Sequence, residues 1–108
     1  MEYIPNMKMM DLETYTPERM ERFIQGMRSI HAAHVEHGDP MPRNMMIVEN
    51  RVLWIDFDRA ITYDQGSLSS KEVEDLDHEM VIVEELDSVL VRTSKRAHMS
   101  MLTESLPG

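Results

Sequence analysis

The sequence predicts a small α+β domain that is rich in helix and contains one short β-hairpin. Apolar residues recur at helical spacing over two long stretches, residues 17–33 and 70–96. Between these stretches, two short apolar runs at residues 45–48 and 51–55 are joined by only two residues. Such a short connection is typical of a hairpin. The length of 108 residues allows one domain with a modest core.

The composition excludes several classes of protein. There is no Cys, which excludes disulfides, thiolate metal sites and thiol catalysis. The formal net charge is −9. Because such a chain repels nucleic acid and anionic membrane surfaces, we expect neither as a partner. No apolar run is long enough to span a bilayer and the first residues do not resemble a secretion signal, so we expect a soluble, cytoplasmic protein.

The first long helix is predicted to begin at Pro17. Thr16 provides a hydroxyl cap, proline stands at the first helical position, and Glu18 places an acid in the first turn. The apolar positions that follow at helical spacing are Met20, Phe23, Ile24, Met27 and Ile30. They predict a helix over residues 17–33 with one buried face.

The segments around this helix are predicted to be irregular. Pro5 interrupts an extended start, and residues 7–15 are predicted to be irregular or a short helix. After the helix, Gly38 and two prolines predict a loop over residues 35–43. In the hairpin that follows, Asn50 is the turn residue expected to adopt a positive φ.

The second long helix is predicted over residues 70–96. Ser69 and Glu72 have the spacing of a capping box, and a polar loop over residues 61–69 precedes them. Residues 72–91 contain eight acids and no Lys or Arg. This acidity indicates either a solvated helix face or a surface that binds a partner, and the solvated face is the simpler interpretation.

Polar motifs border the predicted hairpin on both sides. An HGD motif at residues 37–39 is followed by Asn44, and a DFD motif at residues 56–58 comes directly after the second strand. Two strands and a two-residue turn carry the chain out and back, which returns the second motif beside Asn44. Taken singly, these residues are also common at turns, caps and strand ends.

The order of these motifs resembles the catalytic machinery of protein-kinase-like phosphotransferases. Because Gly follows His, the resemblance is closer to aminoglycoside- and choline-kinase-like enzymes than to regulated protein kinases. The opening MEYIP is similar to the kinase hinge, and the first helix is similar to the one that precedes the catalytic loop. The resemblance implies a partial kinase-like C-terminal lobe over residues 1–98. Its parts would be a hinge-like segment (1–15), a helix (16–34), the catalytic loop and hairpin (35–60) and a helix (70–96), with a flexible tail over residues 99–108.

The same resemblance implies a role for each polar residue. Asp39 would deprotonate or orient the hydroxyl of an unknown acceptor, and Arg43 would approach the transferring phosphate. Asn44 and Asp56 would bind ATP through Mg²⁺, as its oxygen ligands. His37 would pack beneath the metal motif.

The first residues of the chain bear on whether the predicted enzyme is active. Glu2 and Ile4 would offer a carbonyl and an N–H to the adenine of the nucleotide. No glycine-rich loop or phosphate-binding Lys precedes them, so the predicted function is a phosphotransferase fragment that is inactive without an N-terminal lobe. The alternative is a non-catalytic, pseudokinase-like module that binds a protein partner through its exposed upper face. Candidates for that face are Met1, Tyr3, Met7, Met9 and Met10.

Histidine spacing permits one further hypothesis. His31, His34 and His37 recur every three residues, as helical zinc ligands can. Because His37 lies beyond the predicted helix, packed or hydrogen-bonded side chains are the favoured interpretation. Trp54, in the second hairpin strand, is predicted to be a buried aromatic residue.

Overall fold

The predicted α+β fold class is confirmed. The structure is a computed structural model that describes residues 7–105, with side chains described for residues 7–93. Two helices pack with two small antiparallel sheets in this part of the chain. The elements in order are β1 (Met7–Met9), α1 (Pro17–Ala32), β2 (Val35–Glu36), a 3-10 turn (Pro42–Asn44), β3 (Met45–Val48), β4 (Arg51–Trp54), β5 (Ile61–Thr62) and α2 (Ser70–Ser105).

The first helix begins and ends near its predicted limits. Arg19 N donates to Thr16 Oγ1 at 3.1 Å, so the hydroxyl cap forms as expected. The apolar stripe buries four side chains, those of Met20, Phe23, Ile24 and Met27. The helix stops where His34 adopts a left-handed conformation with φ 61°, a common way for a helix to end.

The hairpin of β3 and β4 is also confirmed, but one detail of its turn was predicted wrongly. The left-handed residue is Glu49, with φ 56°, and not Asn50. A two-residue turn that matches the twist of the strands requires positive φ at its first central position. That position is Glu49, although Asn50 is the residue that tolerates positive φ more readily.

A third strand joins this hairpin where an irregular segment or short helix was predicted. β1 pairs antiparallel with β3, with Met9 opposite Met46 and Met7 opposite Val48. The strand order is therefore β1-β3-β4. A three-residue strand carries too little periodicity to be detected in sequence, because its pairing is decided by a distant partner.

Two very short strands were missed for the same reason. β2 and β5 pair antiparallel, with Val35 opposite Thr62 and Glu36 opposite Ile61. The sequence predicted loops at both places. This pairing joins the segment before the HGD motif to the segment after the DFD motif.

The second helix is longer than predicted. Ser69 N donates to Glu72 Oε1 at 2.8 Å, and Glu72 N donates to Ser69 Oγ at 3.1 Å, which confirms the capping box. α2 continues past residue 96 to Ser105, so helix occupies residues 99–105 instead of the predicted tail. No Gly or Pro interrupts the sequence until Pro107.

The core lies between the two helices and the inner face of the three-stranded sheet. Trp54 is half-buried against α1, where its Nε1 donates to the Phe23 carbonyl at 2.8 Å. Met10, predicted to be exposed, is fully buried because the chain turns inward there and Met10 N donates to the Met45 carbonyl at 2.7 Å. Met9 is exposed as expected, while Met1 and Tyr3 lie outside the described residues. Over residues 7–105, none of the helices combines the length and apolarity that crossing a bilayer requires.

Candidate functional site

The HGD loop, residues 37–44, folds so that its acid and its last residue are in direct contact. The Asn44 side-chain nitrogen donates to Asp39 Oδ2 at 2.8 Å and to the Asp39 carbonyl oxygen at 2.9 Å. Asn44 is buried and ends the 3-10 turn that leads into β3. The structure therefore brings these two predicted site residues together.

The DFD motif, residues 56–58, lies against this loop because the residue before it is bonded to the loop twice. Ile55 N donates to the Asn44 carbonyl at 2.9 Å, and His37 Nε2 donates to the Ile55 carbonyl at 2.8 Å. Asp56 itself is exposed and left-handed, with φ 59°. Asp tolerates this conformation better than most residues, and such backbone strain is concentrated at functional sites.

His37 joins the two motifs from below. Its side chain is fully buried, and Asp39 N donates to its Nδ1 at 3.1 Å. Because Nδ1 accepts, the ring proton lies on Nε2, which donates to the Ile55 carbonyl. The ring packs against Phe57 of the DFD motif at a centroid distance of 4.6 Å and against Trp54 at 5.5 Å. His37 therefore packs against the DFD motif while it bonds to the HGD loop.

Arg43 forms a bidentate ion pair with the Asp39 carboxylate. Its Nη2 donates to Oδ1 at 2.6 Å and its Nε donates to Oδ2 at 3.1 Å. Burial tends to raise the pKa of Asp39, but the bonds from Arg43 and Asn44, together with the charge of Arg59, hold that pKa below its ordinary value. Three hydrogen bonds reach the carboxylate, two at Oδ2 and one at Oδ1, so Oδ1 can still accept a bond from an acceptor hydroxyl.

Glu79 of α2 supports the HGD loop and was not predicted as a site residue. Its Oε1 accepts from His37 N at 2.9 Å and from His31 Nε2 at 2.7 Å, and its Oε2 accepts from Gly38 N at 2.8 Å. The side chain is 95% buried. Burial alone would raise the pKa of Glu79, but the three hydrogen bonds and the charge of His31 hold it below the ordinary value. The carboxylate therefore fixes the backbone of the two residues that precede Asp39.

One signal in the sequence distinguishes Glu79 from the other acids of residues 72–91. It lies three residues after Leu76 and four before Val83, so it belongs to the apolar stripe and not to the solvated face. Leu76 and Val83 are both buried. A single acid within a buried stripe predicts a carboxylate with fixed partners.

The backbone just after the DFD motif leaves no room for a side chain at Gly38. Its φ is +91°, and a Cβ built there would lie 2.2 Å from the Arg59 carbonyl oxygen. Since this oxygen belongs to the backbone, it cannot move away as a flexible side chain would. The sequence predicted only a loop at Gly38, whereas the structure gives a steric reason for glycine there.

The site offers two side chains with oxygen atoms of the kind that Mg²⁺ binds, those of Asn44 and Asp56. The Asn44 nitrogen is committed to Asp39, which leaves the amide oxygen without a hydrogen-bond partner among the described residues. Asp56 adds an exposed carboxylate. Mg²⁺ commonly takes one or two such protein oxygens and completes its shell with water and substrate phosphates. Over residues 7–93, no group of three or more His, Asp or Glu side chains is arranged to hold a metal ion.

The three histidines do not converge on one point. Each ring is hydrogen-bonded to a different partner: His31 to the Glu79 carboxylate, His34 to the Asp64 carbonyl and His37 to the Ile55 carbonyl. The predicted adenine-binding residues, Glu2 and Ile4, lie outside the described residues.

Comparisons with known proteins found no relative. No protein-family model matches the chain, and neither a curated protein nor a solved structure matches it.

Proposed function

We propose that this chain carries the metal-binding and catalytic half of a kinase-like phosphotransferase, which transfers a phosphoryl group from Mg-ATP to an acceptor hydroxyl. One observation carries the proposal. Asp39 and Asn44 are in direct contact, and the residue before Asp56 is bonded to Asn44. These contacts support a site in which the Asp39 carboxylate serves the acceptor and the Asn44 and Asp56 oxygens serve Mg²⁺, which are the groups that phosphoryl transfer requires.

Asp39 is the residue that would receive or orient the acceptor hydroxyl. Its pKa is held low, so it is ionised near neutral pH and acts first by orienting the hydroxyl as a hydrogen-bond acceptor. Arg43 would turn from the carboxylate toward the transferring phosphate. Its side chain is 63% exposed and is therefore free to turn toward a phosphate, with which guanidinium forms strong paired bonds.

Asn44 and Asp56 would hold the metal through the amide and carboxylate oxygens. Mg²⁺ neutralises charge on the nucleotide phosphates when it is bound. The two protein ligands flank the β3–β4 hairpin at its open end, where Met45 pairs with Trp54, so the hairpin fixes the relative position of their backbones. Phosphoryl transfer also requires groups that cover the phosphates and exclude water. We expect that a second lobe must supply them, and that the chain alone binds Mg-ATP weakly without turnover.

Removal of the Asp56 carboxylate is expected to weaken nucleotide binding. The Asp56→Ala variant loses one of two protein ligands, so its affinity for ATP in excess Mg²⁺ should fall by at least about 10-fold in calorimetry. A matched control is Asp77→Ala, which removes an exposed acid of α2 and should bind like the wild type. Equal affinity of the two variants would contradict the proposal.

An alternative function, a non-catalytic interaction module, is favoured by one surface. The outer face of the β1-β3-β4 sheet carries five apolar side chains on adjacent strands: Met7, Met9, Met46, Val48 and Leu53. Met9 and Leu53 are 42% and 37% exposed. Methionine-rich apolar surfaces adapt readily to partners. No binding of Mg-ATP by the wild type in the titration above would favour this alternative.

A further inference from the structure

The segments on either side of the candidate site are joined to each other. β2 ends directly before the HGD loop, and β5 begins shortly after the DFD motif. The two-residue ladder is extended by Tyr63 N, which donates to the His34 carbonyl at 2.8 Å. A side-chain bond lies beside it, in which Tyr63 Oη donates to Glu36 Oε1 at 2.9 Å. Residues 36–63 therefore form a closed ring that contains both motifs.

We propose that Tyr63 is a positioning residue for the metal ligands, acting through its hydrogen bond to Glu36, which holds this ring closed. The inference rests on the proposed function, because it concerns how Asp56 is held beside Asn44. Tyr63 itself touches neither of these residues in the contacts described above. Its effect is transmitted through the backbone of β5 and the DFD motif.

Two features of the ring explain why an additional bond supports it. An isolated pair of two-residue strands is marginal in water, so the β2–β5 ladder needs support from side chains. Asp56 also holds a left-handed backbone, and a strained residue keeps its conformation only where its surroundings fix it. On the other side of Asp56, the bonds of Ile55 to Asn44 and His37 provide this support. Downstream, Asp58 N donates to Asp56 Oδ1 at 3.2 Å, and the Tyr63–Glu36 bond holds the far end of this segment.

The Tyr63 hydroxyl remains a donor under ordinary conditions. Burial, the bond to Glu36 and the nearby carboxylates of Asp75 and Glu72 raise the pKa of Tyr63 to about 12. The phenol is therefore protonated throughout the neutral range, and the bond does not switch with moderate changes of pH. Its removal requires a substitution.

The chain contains a chemically matched control. Tyr15 Oη donates to Asp87 Oδ1, also at 2.9 Å, and the pKa of Tyr15 is likewise raised to about 12. This pair joins the segment before α1 to α2 and lies outside the ring. Tyr63→Phe and Tyr15→Phe each remove one hydroxyl from a tyrosine–carboxylate pair. A general loss of stability would affect both variants alike.

The test measures amide hydrogen exchange without metal and then affinity for Mn²⁺, used as a probe for Mg²⁺. Tyr63→Phe should speed exchange across residues 57–62 and weaken Mn²⁺ binding about 10-fold. Tyr15→Phe should leave both quantities within about twofold of the wild type, because it acts outside the ring. Glu36→Gln, which keeps an acceptor oxygen, should preserve both, and Glu36→Ala should reproduce the effects of Tyr63→Phe.

The two arms distinguish the possible failures. If Tyr63→Phe leaves exchange unchanged, or if both Phe variants change it equally, the positioning role is overturned. If the wild type binds no Mn²⁺ but Tyr63→Phe still loosens residues 57–62, the closed ring stands and the proposed metal-binding function fails. If exchange rises and Mn²⁺ affinity does not fall, the ring does not position the ligands.

Discussion

Replacement of Gly38 by Ala is expected to destabilise the domain by about 3 kcal/mol or more, the sum of a strained backbone and a steric overlap. The new Cβ would lie 2.2 Å from the Arg59 carbonyl oxygen, and its backbone would have to keep φ at +91°. Relief of this overlap must separate the HGD loop from the segment after the DFD motif. Such a loss is a large fraction of the stability of a small domain. Urea denaturation followed by circular dichroism measures it.

Gly66 provides the control for this substitution. A Cβ built at Gly66 meets no atom within 4 Å, and its φ lies outside the left-handed range. Gly66→Ala should change stability by less than about 1 kcal/mol, because its main effect is to reduce the freedom of the unfolded chain. If Gly38→Ala were as stable as Gly66→Ala, the close packing of the two motifs would be wrong.

Replacement of Glu79 by Gln is expected to cost about 2–3 kcal/mol, the range for hydrogen bonds to a buried charged group. The amide oxygen can still accept the bonds made at one of the two carboxylate positions, but the NH₂ group at the other position then faces a donor, either the backbone N–H of Gly38 or that of His37. Glu84→Gln, on the exposed face of α2, is the matched control and should lie within about 0.5 kcal/mol of the wild type. Equal stability of the two variants would contradict the supporting role of Glu79.

The contribution of Glu79 should also depend on pH. Because the folded-state pKa lies below the ordinary value of 4.5, the carboxylate stabilises the fold above that value. This stabilisation is lost as the pH falls through the folded-state pKa. The difference in unfolding free energy between wild type and Glu79→Gln should therefore be constant near neutral pH and shrink below about pH 4.5. A difference that grows on acidification would have the wrong sign.

Local signals explain which parts of the fold were predictable from sequence. The cap at Thr16, the stripe of α1 and the two-residue turn all act between neighbours in the chain, and each predicted its element correctly. β1, β2 and β5 contain two or three residues and exist because of partners far along the sequence. The prediction ended α2 at residue 96, where its acidic and periodic stretch ends, although the helix continues to Ser105.

In the candidate site, too, local signals predicted some parts, and contacts between residues distant in sequence decide the others. The return of the hairpin was enough to predict that the DFD motif lies beside Asn44, because the loop and strand lengths determine it. The roles of Asp39, Arg43, Asn44 and Asp56 stay predictions. The parts that hold the site were missed, since Glu79 and Tyr63 act from segments distant in sequence that carry no motif. An acid within the apolar stripe of α2 was the one available signal for Glu79.

The central claim is that Asn44 and Asp56 bind one divalent cation, and paramagnetic broadening of NMR signals by Mn²⁺ tests it most directly. At a small fraction of one equivalent, we predict selective broadening of the Asn44 side-chain amide and of the backbone amides of residues 56–58. The amides around the exposed acids Glu84 and Glu85 should stay sharp at that concentration. Broadening that begins on this face of α2, or that never reaches Asn44, would contradict the claim.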